Sequence, residues 1–448
     1  MIGLKKKTAN WYKMSFTENI SKQFAEVSNT NVVELRKNAF NAFEKLGIPS
    51  SRHEEWKYTN IKTKLNEQLS LAPADSKVNA AVKNYIASLP PYAFRIIFLN
   101  GVFHPELSIV PDTKGLTICS LKEAFSSHTT LVEKHFGKLI NYNEEHFAAL
   151  NTAFVNDGAF IHVQKNVAIS EPIYIQYFFT ASDVNAFTQT RSLAIVEEGA
   201  SIQIAEDFRN ASNINVQYNH VSEVFVGKNA SIDIVKLQLE VSNSIGIHTL
   251  ESQVERDGKF SASTITFSSP NTGTGNAVIR NNATARLIGE NAHADLSGLY
   301  FGKENAHIDN HILVDHVAPN CTSNQLYKGV LNDESTGVFN GKIFVRQDAQ
   351  KTNAFQSSKA LLLSNDANIN SKPQLEIFAD DVKCSHGAAV GQLDENALFY
   401  LRARGITKEE ATQILTYAFA HEVIDHVHSK PIRQFLCDKL KDELKVNF

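Results

Sequence analysis

Glu198-Gly199-Ala200-Ser201-Ile202-Gln203-Ile204 is echoed further along the chain by Lys228-Asn229-Ala230-Ser231-Ile232-Asp233-Ile234. Looser copies follow at Asp257-Gly258-Lys259-Phe260-Ser261-Ala262, Glu290-Asn291-Ala292-His293-Ala294-Asp295-Leu296 and Glu304-Asn305-Ala306-His307-Ile308. Each is a polar turn with Gly or Asn, a small residue, then alternation of the kind that gives a strand one buried face. The copies recur about every 30 residues, with one interval near half that, and such a period signals a solenoid. A β-sandwich also has regular strands and turns, but it has no reason to repeat a motif in sequence. Short strands with small residues at the turns point instead to a β-helix, each coil burying its inner face on its neighbours.

Outward from this core the texture changes at both ends. From about Gly158 to Leu375 helix signals nearly vanish. Before it, Phe16 to Gly47 reads as helix, with Val32, Val33, Phe40, Phe43 and Leu46 as a rough stripe and Gly47-Ile48-Pro49 as the stop. Phe94 to Leu99 is a β-rich run ending in the turn signal Asn100-Gly101, and more helix is expected between Leu121 and Phe154. After Gly391, Asn396 to Arg404 forms a helical stripe ended by Gly405. Thr407-Lys408-Glu409-Glu410 is a capping box opening a helix that runs to about His428. Pro431 breaks it, and a last helix carries Phe435, Leu436, Leu440 and Leu444. The expected layout is a mainly helical domain over 1–157, a β-helix core over 158–391 and a helical domain over 392–448. The prefix 1–13 is basic without an amphipathic pattern; it is expected to be disordered, with Met14 as the true start.

Composition narrows the function. At 448 residues, 43% hydrophobic and 21% charged, the chain has the make-up of a soluble globular protein. A net charge of -4 and the lack of a basic patch argue against a nucleic-acid partner. No apolar run approaches the ~20 residues of a membrane span. Cys119, Cys321, Cys384 and Cys437 are far apart, which argues against a disulfide framework and for a reduced, cytoplasmic setting.

Most chemical motifs are missing or weak. There is no P-loop, no G-x-S-x-G and no H-E-x-x-H. Gly273-Thr274-Gly275 reads as a flexible turn. His307, His311 and His316 form the densest histidine cluster, but on a strand His307 and His311 stand ~13 Å apart, too far to hold one ion. Trp56 and Tyr58 suit a ligand platform or a helical core equally well. Glu206, Asp233 and Asp295 are the carboxylates that a carbohydrate-active β-helix enzyme would need; they are read here at different phases of the repeat. Asp380-Asp381-Val382-Lys383-Cys384-Ser385-His386-Gly387 is the sharpest signal. If extended, it points Cys384 and His386 to one face, a ligand pair suited to iron, zinc or an iron–sulfur cluster. Two ligands do not close a site, so the pair is either half of a shared site or a buried Cys beside a hydrogen-bonded His. Residue types alone favour the second.

Three stretches go further. QLYKGVLNDESTGVFNGKIFVRQDAQKTNAFQSSKALLLS (Gln325 to Ser364), SKPQLEIFADDVKCSHGAAVGQLDENALFYLRARGI (Ser371 to Ile406) and SRHEEWKYTNI (Ser51 to Ile61) resemble the SufB/SufD family of Suf iron–sulfur cluster assembly scaffolds. Phe98-Leu99-Asn100-Gly101 looks like a further landmark. Trp56-Lys57-Tyr58-Thr59 and Cys384-Ser385-His386-Gly387 look like the SufD-type branch; SufB-type chains carry an acidic-His-Ala stretch at the latter place. The resemblance implies a right-handed parallel β-helix flanked by helical domains. It implies a non-catalytic scaffold that pairs with SufB through its last β-helix strands and docks the SufC ATPase through its C-terminal helices. It also implies that His386, with Cys384 as its motif neighbour, faces a nascent cluster shared with SufB, and that the isolated chain holds no cofactor tightly.

Overall fold

Successive corners on one side of the repeat carry a residue with a left-handed backbone. Asn229, Asp257, Asn291 and Asn320 have φ of 53°, 58°, 60° and 60°, and Gly199 has φ 70°. Gly, Asn and Asp reach this region at least cost, which is why the repeated turns carry them. The next residue is small because it points into the corner: Ala200, Ala230, Ala292 and Cys321 are buried. The corners also hydrogen-bond from coil to coil, Asn229 N–H to the Arg256 carbonyl and Asn320 N–H to that of Gln350.

The computed structural model describes residues 20–24, 32–65, 70–71, 78, 80–88, 94–110, 112–155, 157–179, 186–210, 216–239, 244–268 and 277–446. The prefix, Met14 and Gly273 to Gly275 lie outside these residues. Between the corners run two ten-stranded sheets, and successive strands alternate between them. Each coil therefore contributes one strand to each sheet, a parallel β-solenoid. The half-length interval in the sequence is this alternation. The Glu290-Asn291 turn leads into His293–Gly302 of the second sheet, and the Glu304-Asn305 turn into His307–His316 of the first. Register holds without slippage: Ser201, Ser231, Lys259, His293, Thr322, Asn353 and Lys383 stack rung by rung.

Inward residues build a long core from Ile96 to Phe339. Aromatic rings stack along it, Phe98 on Tyr177 at 5.0 Å and Tyr177 on Phe208 at 4.9 Å. Further along, tyrosines lie over glycines of the adjacent rung. A Cβ on Gly298 would sit 2.2 Å from the Tyr327 ring, and one on Gly329 2.4 Å from that of Tyr300, so no other residue fits either place without a shift. The same interior holds a buried polar network. Glu206 accepts from Ser192 at 2.9 Å, and His220 Nε2 stands 3.3 Å from Glu206 and 3.0 Å from Ser222 Oγ. Burial pushes the Glu206 carboxyl up, but His220, Lys236 and Ser192 outweigh it and bring it down to about 2.

Helices cover the outer faces. Val33–Leu46 and His146–Phe154 pack with Trp56 and Ile61 on Phe187, Ile247 and Val278 of the first sheet. Lys408–Ile424 and Lys430–Leu444 pack on Leu237, Ile265, Leu299 and Phe301 of the second. The capping box forms: the Glu410 N–H donates to Thr407 Oγ1 at 3.2 Å, and the Thr407 N–H to Glu410 Oε2 at 3.1 Å. Two boundaries differ from expectation. Pro431 lies in the first turn of the last helix, where its missing N–H costs nothing, and the preceding helix ends at Ile424. The division at residue 158 also falls inside continuous sheet. Phe94–Leu99 pairs in parallel with Ile173–Phe179, so part of the N-terminal region belongs to the solenoid. Among the described residues no helix is long and apolar enough to cross a membrane.

Candidate functional site

The two sheets end on Asn368–Ile377 and Lys383–Gly391, and among the described residues no further strand pairs with either. Every residue of Asn368–Ile377 is at least partly exposed, and so is every residue of Lys383–Gly391. Edge strands of this length present a row of backbone groups to any strand that fits them. Apolar side chains gather there: Phe378 is 61% exposed, Val390 51% and Phe355 47%.

Cys384 and His386 lie on this last strand. Cys384 is in register with Ala354, and His386 with Gln356. Both partners are buried, so the two side chains continue inward-facing columns of the solenoid, as the i, i+2 spacing requires. Cys384 packs beside Ala354, Ile343 and Leu375 in the small core of the last coil. Burial raises its pKa and keeps it a thiol. One rung back, Gln356 donates to Gln325 at 2.7 Å; His386 is the next member of that column and is exposed, because the column ends there. Among the described residues no group of three or more His, Cys, Asp or Glu is placed to hold a metal ion. The pair is an imidazole and a half-buried thiol on an open edge.

The other candidates are drawn into structure. His307, His311 and His316 do not converge. His316 Nε2 meets Ser323 Oγ at 2.9 Å inside the solenoid, where burial brings it down to about 4. His307 and His311 face outward and hold the Ser51 to Ile61 segment. Thr59 donates to Asp309 at 2.5 Å and meets His307 at 2.8 Å. Glu55 meets His311 at 3.1 Å and accepts from Asn340 at 3.2 Å, and Glu54 pairs with Lys372 at 2.6 Å. Trp56 is buried under the Arg280 guanidinium at 3.9 Å, while Tyr58 is exposed. His311, Asn340 and Lys372 stand in one column, so this segment is a strap running along the coils to the terminal strand. Sequence reading missed the strap because its partners lie more than two hundred residues away. The signal available was the outward phase of His307, Asp309 and His311.

The carboxylates also differ from expectation. Glu206 points inward, but Asp233 and Asp295 share a phase: both are in register with Ser261, one rung to either side. Cys119 and Cys321 are buried, and burial raises both, Cys119 to about 12 and Cys321 to about 11. Cys437 lies 3.4 Å from His421 between the last two helices. The helix Glu395–Ala403 has no buried residue, and Phe399 is 74% and Tyr400 55% exposed.

Comparison with known proteins fits this architecture. Residues 178–419 match the family model described as SUF system FeS cluster assembly, SufBD core domain, and residues 6–175 match the SufBD protein N-terminal region. An iron-sulfur cluster assembly SufBD family protein of Synechocystis is 30% identical over 426 residues, 91% of this chain and 90% of its own. The iron-sulfur cluster assembly protein SufD of Escherichia coli is 28% identical over 89% of this chain and 90% of its own. That of Bacillus subtilis is 28% identical over 97% and 99%. A solenoid with helical flanks, matched end to end in this way, makes the chain a SufD-like member of the SufBD family of iron–sulfur cluster assembly proteins.

Proposed function

We propose that this chain is a non-catalytic scaffold subunit of a cytoplasmic Suf complex. Its open solenoid end pairs with a SufB-type paralogue, its C-terminal helices dock a SufC-type ATPase, and His386 serves a cluster built as cargo between the two scaffolds. The observation that carries this reading is the position of Cys384 and His386 on a strand that ends its sheet uncovered. A strand added there would extend the β ladder and bring its own side chains opposite His386. The incomplete donor set then has a physical reason, since the missing ligands come from the facing chain. Cys384 is a thiol in the chain alone, so any part it plays in ligation requires proton loss as metal binds.

Phe399 and Tyr400 are the apolar surface offered to the ATPase. ATP hydrolysis belongs to that partner, and a nucleotide-driven movement of the helices can reach the open end because both rest on the second sheet. Removing everything after Gly391 would be a poor test of docking, since it bares Leu237, Ile265 and Phe301. Phe399→Asp leaves that core intact and should abolish ATPase capture.

Co-expression with SufB-type and SufC-type partners, followed by affinity purification and cluster reconstitution, tests the whole reading. A stable complex should form. His386→Ala should keep the complex and lose most of the visible absorbance of the cluster, with Cys384→Ala the milder change. A chain that stays alone at micromolar concentration, or His386→Ala with full cluster yield, contradicts the proposal.

A further inference from the structure

Inside the last coils a ladder of side-chain amides runs toward the open end. Gln325 Nε2 donates to the Lys342 backbone carbonyl at 3.4 Å, and a carbonyl can only accept, so the Gln325 amide is held one way round. Its Oε1 accepts from Gln356 Nε2 at 2.7 Å. That bond fixes the Gln356 amide in turn and leaves Gln356 Oε1 as the end of the ladder. Gln356 is 3% exposed, and this oxygen has no hydrogen-bond partner among the described residues. Gly341 lets the amide sit close: a Cβ there would lie 2.5 Å from Gln356 Nε2. A buried acceptor left bare is costly, so this oxygen calls for a donor.

The residue in register with Gln356 on the next rung is His386. Neighbouring rungs are ~4.8 Å apart, and elsewhere in this solenoid a strand histidine spans that gap with Nδ1. His220 Nδ1 lies 2.8 Å from Oγ1 of Thr190, its in-register neighbour one rung back. On the outer face, His293 Nδ1 lies 2.7 Å from Oγ1 of Thr322, its neighbour one rung ahead. In both cases Nε2 is left to face a carboxylate, Glu206 at 3.3 Å and Asp295 at 2.8 Å. His220 is the nearer parallel to His386, because it stands in an inward column and reaches back. His386 repeats that setting on the last rung, where a bare acceptor lies behind it and the open edge in front.

We propose that Gln356 is the positioning residue of His386: Gln356 Oε1 accepts a hydrogen bond from His386 Nδ1–H and so presents an unprotonated Nε2 to the open edge. This rests on the reading of His386 as a ligand of the shared cluster, and adds which nitrogen binds and what aims it. A histidine that binds metal generally gives its other N–H to a carbonyl or carboxylate, which sets the tautomer, fixes the ring and raises its basicity. Here that acceptor is an amide oxygen whose direction is set two rungs away. The Lys342 carbonyl orients Gln325, Gln325 orients Gln356, and Gln356 orients the imidazole. An exposed side chain at the end of a sheet is thereby tied to the backbone of the facing sheet.

The test reads the His386 ring in the purified full chain by nitrogen NMR in mildly alkaline buffer, with His386→Ala assigning its signals. The expected wild-type ring is mainly the Nδ1–H form. Gln356→Leu, close in volume but without an acceptor, should shift the balance toward the Nε2–H form that an exposed imidazole prefers. Gln356→Glu keeps an oxygen at the end of the ladder and should keep the Nδ1–H form. In the complex with SufB-type and SufC-type partners, Gln356→Leu should leave complex yield unchanged and speed loss of the cluster to a chelator about tenfold or more. A wild-type ring in the Nε2–H form, a balance unmoved in Gln356→Leu, or a cluster lost no faster from that variant would overturn the proposal. Full cluster yield in His386→Ala would instead overturn the reading on which it rests.

Discussion

At its N-terminal end the solenoid is shut, and at its C-terminal end both sheets simply stop. Closure at the first end uses a change of direction: Leu116–Ser120 turns antiparallel against Ala159–Val163. Nearby, His146–Phe154 is buried at every residue, and Arg191 and Glu223 pair with no exposure at all. At the other end no residue of Lys383–Gly391 is buried. The same repeat is thus finished as a core at one end and left as a surface at the other. An uncovered parallel edge is a hazard for a protein that works alone, and tolerable in one whose partner covers it.

The largest effect should come from damage at the shut end. Arg191 donates to Glu223 at 3.1 and 2.6 Å and to Thr152 at 2.9 Å. Arg191→Ala leaves a buried carboxylate without its cation and should cost about 3–5 kcal/mol in urea unfolding. Phe378→Ser at the open end should change stability by no more than about 0.5 kcal/mol. Equal losses at the two ends would break the comparison.

Acid should find the shut end next. The folded Glu206 carboxyl titrates at about 2, below its ordinary 4.5, so its contribution is present above about pH 4.5 and disappears as pH falls toward 2. Unfolding midpoints measured from pH 5 downward should fall in the wild type and fall less in Glu206→Gln. Parallel acid limbs would remove Glu206 from the account.

At the open end the effects should appear in association. Val390→Lys puts a charge on the exposed edge and should weaken capture of the SufB-type partner about tenfold or more, with the melting temperature of the chain unchanged. His386→Ala should have the smallest effect on fold and complex, visible only in cluster yield. A melting temperature lowered by either change would mean that this strand end belongs to the core.

The contrast explains what could be read from sequence. The β-helix was legible because the corners on one side of the repeat take a left-handed residue followed by a small one, and Gly199-Ala200, Asn229-Ala230 and Asn291-Ala292 write that need locally. The capping box at Thr407 and the helix stop at Gly47 are local in the same way. The strap from Glu54 to Thr59 was not legible, because Arg280, Asp309 and Lys372 meet it only after the coils have formed. The shared phase of Asp233 and Asp295 was missed because, of the two coils that separate them, the first is shorter and the second longer than the mean period; only the register places both beside Ser261. For Cys384 and His386 the alternation fixed their common face, and the end of the sheet, which no pattern announces, decides that the face is open.

The central claim is that the strand bearing His386 is an edge awaiting a partner strand, and backbone hydrogen exchange tests it most directly. Amides of Lys383–Gly391 should be followed in the chain alone and in complex with the SufB-type partner. The account predicts that those not already bonded to Asn353–Leu362 exchange fast in the free chain and become strongly protected in the complex. A stable complex that leaves their exchange unchanged would contradict it.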